Sequence, residues 1–208
     1  MGELGLFPLG IVLLPTEQVP LHIFEPRYQE LIGECLAEGQ EFGLLLADDD
    51  GLREIGTRAA IVEVLERFDD GRLNVVVEGR ERFRLVELTD GRSFHTGVVE
   101  PVEDEPDAAA PEAVERALAL FARLVELTGA EVEPPTGEEA QLSFALAGRF
   151  EFATDIKQRL LQLRSERARV EELVELLERA AETVMRQREV AERAATNGKV
   201  EPRGRRSG

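Results

Sequence analysis

The sequence predicts an α+β fold in which a β-rich first half is followed by a helical second half. Two observations carry this prediction. Through residue 100 the apolar residues fall in short Val, Leu, Ile and Phe runs bounded by turn residues, and beyond residue 111 they recur at helical spacing. Between these parts, Val99–Pro111 holds three prolines and five acidic residues and almost nothing to bury, so it is expected to be an exposed connection. The boundaries follow: 1–105 for a β-rich lobe, 111–195 for a helical lobe, and 198–208 for a basic, Gly/Pro-rich tail expected to be disordered.

Strands are expected at Val19–Ile23, Phe42–Ala47, Ala60–Phe68, Leu73–Val77, Arg82–Leu88 and Thr96–Glu100. Leu73, Val75 and Val77 have the period-2 spacing of a strand with one inner face. Asp70-Gly71 joins two of the strands as a hairpin turn. One helix interrupts this region. Pro26 suits the first helical position, Tyr28, Leu31, Ile32, Cys35 and Leu36 make its apolar stripe, and Gly39 stops it. In the second half, Val114, Ala117, Leu118, Phe121, Leu124 and Val125 form one face of a helix that ends at Gly129. Glu131–Gly137 reads as a Pro-rich loop, and Thr136 with Glu139 gives a capping-box signature for a helix through Arg149. Thr154-Asp155 opens a short helix carrying Ile156, Leu160 and Leu161. The last helix is the longest, Glu166–Arg193, with a stripe of Val170, Leu173, Val174, Leu177, Ala181, Val184 and Met185. That stripe is wider than a two-position coiled-coil seam, so it fits packing within the chain, and a monomer or weak dimer is expected.

The chain has 208 residues, 43% of them hydrophobic, so it can bury a core without disulfide or metal. Forty-two Asp and Glu against 25 Lys and Arg give a net charge of -17, which repels nucleic-acid backbones and anionic membranes. Leu4–Thr16 is uncharged, but it is broken by Pro8 and Pro15, lacks a basic flank and is too short to span a membrane. With one cysteine, Cys35, no internal disulfide is possible, which fits a cytoplasmic location.

No catalytic constellation stands out. There is no phosphate loop, no G-x-S-x-G, no H-E-x-x-H and no S-x-x-K. Cys35 lies on the apolar stripe of its helix, where a core role suits it better than nucleophilic catalysis. His22 alternates with Leu21 and Ile23 in a strand and reads as structural. Two histidines and one cysteine do not make an ordinary zinc site, so no metal or cofactor is expected. Arg80, Arg82 and Arg84 form a basic line that suits either a carboxylate ligand or, better in so acidic a chain, ion pairs with Glu78, Glu81 and Glu87.

Leu6-Phe7-Pro8-Leu9, Val12-Leu13-Leu14-Pro15 and Val19-Pro20-Leu21-His22-Ile23-Phe24-Glu25-Pro26-Arg27-Tyr28 resemble, in order, the opening of the Lon protease N-terminal domain. Gly56-Thr57, Ala60–Val64, Asp70-Gly71-Arg72, Val77-Glu78-Gly79 and Arg82-Phe83-Arg84 match its second block, and Leu142–Ala147 with Asp155–Leu163 resemble its helical half. The resemblance implies a PUA-like β pseudo-barrel followed by a helical bundle with one long last helix. It also implies a non-catalytic protein that captures unfolded segments or a partner protein, with a separate protease or ATPase as a further expected partner. Neither the ATPase nor the Ser–Lys peptidase module is seen, so no enzymatic activity is expected. The other reading, a PUA-like RNA-binding module, is opposed by the charge and the lack of a basic stripe with interleaved aromatics. The expected binding surface is an apolar cleft between the lobes, lined by Leu6–Leu14 and by the Phe24–Tyr28 corner, with Phe24, Arg27 and Tyr28 as candidate protein-binding residues.

Overall fold

The computed structural model describes residues 2–135 and 141–197; the basic tail and the Thr136 cap fall outside them. The first half contains strands β1 (Gly2–Leu9), β2 (Gln18–Ile23), β3 (Phe42–Asp48), β4 (Gly51–Leu52), β5 (Ile55–Arg67), β6 (Leu73–Thr89) and β7 (His95–Pro101), with helix α1 (Pro26–Glu38) between β2 and β3. The second half contains α2 (Pro111–Thr128), α3 (Leu142–Ala147), α4 (Thr154–Gln162) and α5 (Glu166–Asn197). Pairing runs β1-β7-β6-β5-β3, and β1 then pairs in parallel with β3, which closes the sheet into a ring. Closure removes the free edges that an open sheet of this size would expose.

Several expected elements stand where the residues place them. Pro26 opens α1, and Gly39 ends it in the left-handed region at φ 66. Gly129 ends α2 in the same way at φ 69. β5 and β6 form the expected hairpin, with Gly71 at φ 90 in its turn. Two differences have physical reasons. The strands expected at Leu73–Val77 and Arg82–Leu88 are one strand, β6, which runs straight through Gly79. β6 pairs first with β2 and then, beyond Gly79, with β7, while β5 follows it on the other side. Most of β1 lies in the uncharged run Leu4–Thr16, where no strand was expected, with Leu6 and Phe7 buried in two different apolar clusters.

Apolar burial joins the two halves. Val12 and Leu14, just beyond β1, and Leu46 of β3 pack in one cluster with Phe121, Phe144, Leu160, Val170 and Leu173 from the helices. At about 25 cal/mol per Å² of apolar area, such a shared core resists separation of its parts. The α5 stripe packs against α2, with Leu124, Leu177 and Ala181 in a further cluster.

A buried ionic cluster fastens the same junction. Arg82 of β6 is 2% exposed and donates from Nη1 to the carbonyl oxygens of Leu161 and Leu163, both at 2.7 Å, while Nη2 pairs with Asp104. The expected pairing of Arg82 with neighbouring glutamates is therefore corrected: its side chain points into the junction, and its partner lies 22 residues away. Arg80 does pair with Glu78, at 2.8 Å. Arg169 of α5 is fully buried and uses all five of its N–H donors, on Ser143 Oγ, Asp104 Oδ1 and Oδ2, the Leu163 carbonyl and Glu166. Both guanidinium groups also lie on the Phe144 ring, at 5.4 Å and 4.4 Å. Two arginines against Asp104 and Glu166 leave the cluster neutral, the condition under which charge is tolerated inside a protein. The connection expected to be exposed is thus anchored in part: Asp104 sits in the cluster, and Asp107 accepts a hydrogen bond from Ser165 Oγ at 2.6 Å.

Candidate protein-interaction site

The corner where β2 enters α1 holds the most exposed aromatic ring of the chain. Phe24 is 60% exposed. Pro26 defines the backbone beyond it, Gln29 Nε2 donates to the Phe24 carbonyl at 3.1 Å, and the His22 ring stacks on Phe24 at 5.9 Å between centroids. His22 in turn meets the edge of Phe68 at 6.2 Å and hydrogen-bonds with Asn74 at 2.6 Å. Phe68 stands at the β5–β6 turn, where the Arg72 guanidinium covers it at 4.9 Å and Asp70 pairs with Arg72 at 2.7 Å. Gly71 is required in this turn: its φ is positive, and a Cβ would lie 2.8 Å from Gln29 Oε1. Phe24 is therefore an apolar surface whose ring rests on His22 and whose backbone is fixed by Pro26 and Gln29.

The other two candidate residues stand beside it in different roles. Arg27 is half-exposed, pairs with Glu25 at 2.8 Å and lies 4.5 Å over the Tyr28 ring. Tyr28 is only 3% exposed and packs on Phe7, with ring centroids 4.0 Å apart. It supports the corner from below rather than facing solvent. Burial raises the Tyr28 hydroxyl above its ordinary range, with Glu25 adding to this and Arg27 opposing it.

The expected apolar cleft takes a different form. Leu6, Phe7 and Val12–Leu14 are buried and complete the cores, while Gly10 of the same run lines the cavity between the barrel and α4. Among the exposed apolar residues that the sequence did not single out are Val62 and Leu65 of β5, 43% and 53% exposed. Each falls at a register shift against β6, where a bulge turns one residue out of the pairing. No alternation pattern reveals a bulge in advance.

No helix among the described residues is long and apolar enough to cross a membrane, and no group of three or more His, Cys, Asp or Glu among them could hold a metal ion. Burial, with Glu34 and Glu38 adding to it, pushes the Cys35 thiol up to about 11. Native Cys35 should therefore react with a thiol reagent at neutral pH at least about 100-fold more slowly than in denaturant. Equal rates in a stopped-flow thiol titration would show that the site is open.

Residues 3–179 match the family model of the ATP-dependent protease La (LON) substrate-binding domain. The chain belongs to this family. Among solved structures, the Lon N-terminal domain protein from Xanthomonas campestris superposes with a TM-score of 0.67 at 28% identity, covering 84% of this chain and 98% of that one. The N-terminal domain of the Mycobacterium avium complex Lon protease gives 0.65 at 17% identity, covering 85% and 98%, a likeness of fold. The Lon protease of Paraburkholderia phytofirmans is 26% identical over 213 residues, which is 93% of this chain and 26% of that protein. Lon protease 1 of Hydrogenovibrio crunogenus is 30% identical over 103 residues, covering 46% of this chain and 12% of its own length. The chain thus spans about an eighth to a quarter of these Lon proteases, and the part matched by the family model is their substrate-binding domain. The barrel with a helical half ending in one long helix is the Lon N-terminal architecture.

Proposed function

We propose that this chain recognises exposed segments of protein clients without chemistry of its own, and that the Phe24 corner is where it holds them. The reading rests on one observation above others: within a Lon substrate-binding domain, the most exposed aromatic ring stacks on His22 and stands on backbone that Gln29 ties down. A fixed aromatic anchor loses little entropy on binding, and such rings dominate contact energies. Arg27, beside it, is placed to meet client carboxylates or carbonyls once it leaves Glu25. Clients with basic residues would be steered by the net charge of -17.

The test is titration of a fluorescently labelled, reduced and carboxymethylated protein, permanently unfolded, with the purified chain. Phe24→Ala should weaken capture about 10-fold, the loss of about 1.4 kcal/mol typical of one aromatic anchor, with Tm nearly unchanged because the ring is exposed. Unchanged affinity would remove the corner from the site. Tyr28→Ala should instead lower Tm, since it opens a cavity under Phe7.

A further inference from the structure

β2 lies off the closed ring of strands, and one of its edges is bare. It pairs with β6 over Gln18–Ile23. Among the described residues no other strand pairs with it, and no backbone hydrogen bond reaches residues 18–23 from elsewhere. The register tells which backbone groups this leaves unpaired. Gly79 of β6 turns its N–H and C=O to the β2 side, where they bond the Glu17 carbonyl and the Thr16 N–H. Antiparallel alternation then turns Val77, Val75 and Leu73 toward β2, and Val19, Leu21 and Ile23 bond back to them. Gln18, Pro20 and His22 face away, and all three are exposed. Pro20 suits that place, because proline in a sheet belongs where no ladder bond needs an N–H. The bare edge therefore offers two donors, the Gln18 and His22 N–H groups, and three acceptors, the Gln18, Pro20 and His22 carbonyls.

β5 has the other open edge beside β6, and it is built differently. Beyond Ala59, β5 pairs among the described residues with β6 alone, and register shifts between Ile61 and Glu63 and between Val64 and Glu66 break its line. Bulges of this kind keep an edge from pairing with strangers. β2 has none against β6, so its six residues present a regular line of about 20 Å. Backbone donors and acceptors in such a line are matched by one kind of partner, another extended chain. The side chains beside the edge narrow that partner further. The His22 ring stacks on Phe24, so Pro20, His22 and Phe24 share a face, and the His22–Asn74–Glu66 and Gln18–Glu78 hydrogen bonds carry that face across β6 to β5 with carboxylates on it. An added strand thus meets Pro20 and Phe24 with alternate residues, beside carboxylates and within a chain of net charge -17.

We propose that an extended client segment, in which apolar and basic residues alternate, adds to β2 as an antiparallel strand with its apolar side chains on the Phe24 face. This rests on the client recognition proposed above and supplies its mode of contact: the backbone holds the segment, and Pro20 and Phe24 select its side chains.

The test is fluorescence anisotropy of the full chain with labelled acetyl-Lys-Val-Lys-Val-Lys-Val-Lys-amide and two N-methylated forms of it. One form is methylated on the three valine nitrogens, the other on the two inner lysine nitrogens. With valine on the Phe24 face, the valine N–H groups point at β2. The valine form should therefore bind at least about 10-fold more weakly than the parent peptide, and the lysine form within about 2-fold of it. Pro20→Ala adds the missing donor and should tighten the parent peptide about 5-fold, the worth of one hydrogen bond. The contrast between the two methylated forms is read on the unaltered chain, so it decides whether or not the variant folds. No saturable binding of the parent peptide, equal binding of the two forms, or unchanged affinity of folded Pro20→Ala overturns the proposal. So does sedimentation in which the chain dimerises and Pro20→Ala strengthens the dimer, because a second copy then holds the edge. If Phe24→Ala leaves capture of the unfolded protein unchanged while the contrast persists, the Phe24 anchor fails and strand addition stands. If the contrast is absent while Phe24→Ala weakens capture, strand addition alone fails.

Discussion

Arg169→Ala should lower the stability of the fold by about 3–5 kcal/mol, the usual result of removing one partner from a buried ionic cluster. For a chain of this size that is a fall in Tm of roughly 6–20 °C. Asp104 would lose two hydrogen bonds, Ser143 Oγ and the Leu163 carbonyl one each, and the Phe144 ring its closer cation. Arg169→Lys should recover only part of the loss, because three donors on one nitrogen cannot reproduce the planar five-donor fork. Thermal melts of the two variants beside the parent protein check this. A drop for Arg169→Ala of under 1 kcal/mol would mean that the cluster tolerates an unpaired Asp104.

The same cluster gives the stability a direction in pH. Burial raises the Asp104 carboxyl, but the hydrogen bonds and charge of Arg169, with the charge of Arg82, outweigh it and hold the group below the usual carboxylate range. A depressed folded value means that the unfolded chain binds the proton more readily. The contribution is therefore fully present above the ordinary carboxylate range, near pH 4 and up, and is lost as pH falls through the lower folded value. Arg169→Ala should flatten that acid limb, since the shift it removes is the one that links folding to protons.

How much of this was legible in the sequence depended on how local the cause was. Pro26, Gly39, Gly71 and Gly129 act within their own turns, and the helix ends and the hairpin stand where those residues place them. β1 gave no such signal. Leu6 packs into one cluster and Phe7 into another, so the strand is apolar on both faces and shows no alternation. Arg82, Asp104 and Arg169 were opaque for another reason. Each is an ordinary surface residue by type, and they meet only because the chain returns across separations of 22 and 65 residues. At the candidate site, Phe24 and Arg27 are exposed to different degrees at the corner the sequence indicates, while the burial of Tyr28 depends on Phe7, which β1 delivers from a distance.

Gly79→Ala should be the most damaging change that adds a single methyl. Gly79 lies at the middle of β6, where the segment after β1 passes directly over the strand. Thr16 N–H donates to the Gly79 carbonyl at 2.8 Å, and Gly79 N–H donates to the Glu17 carbonyl at 2.9 Å, so backbone meets backbone with no side chain between. A Cβ built there would stand 2.1 Å from the Leu14 carbonyl oxygen and 2.9 Å from its carbon. Neither atom is the end of a flexible side chain. Leu14 is itself fully buried in the cluster shared with the helices, and Thr16 already holds an unfavourable φ of 68 to make the crossing. The clash can be relieved only by lifting this turn off β6, which breaks both hydrogen bonds and withdraws Leu14 from its packing. Overpacking against backbone costs about 1–3 kcal/mol or more, and here two hydrogen bonds of about 1 kcal/mol each go with it. A loss near 3–5 kcal/mol in denaturant unfolding is expected, with faster hydrogen exchange at Thr16 and Gly79 ahead of the rest of the barrel. Parent-like stability with both amides still protected would mean that the crossing has room for a side chain.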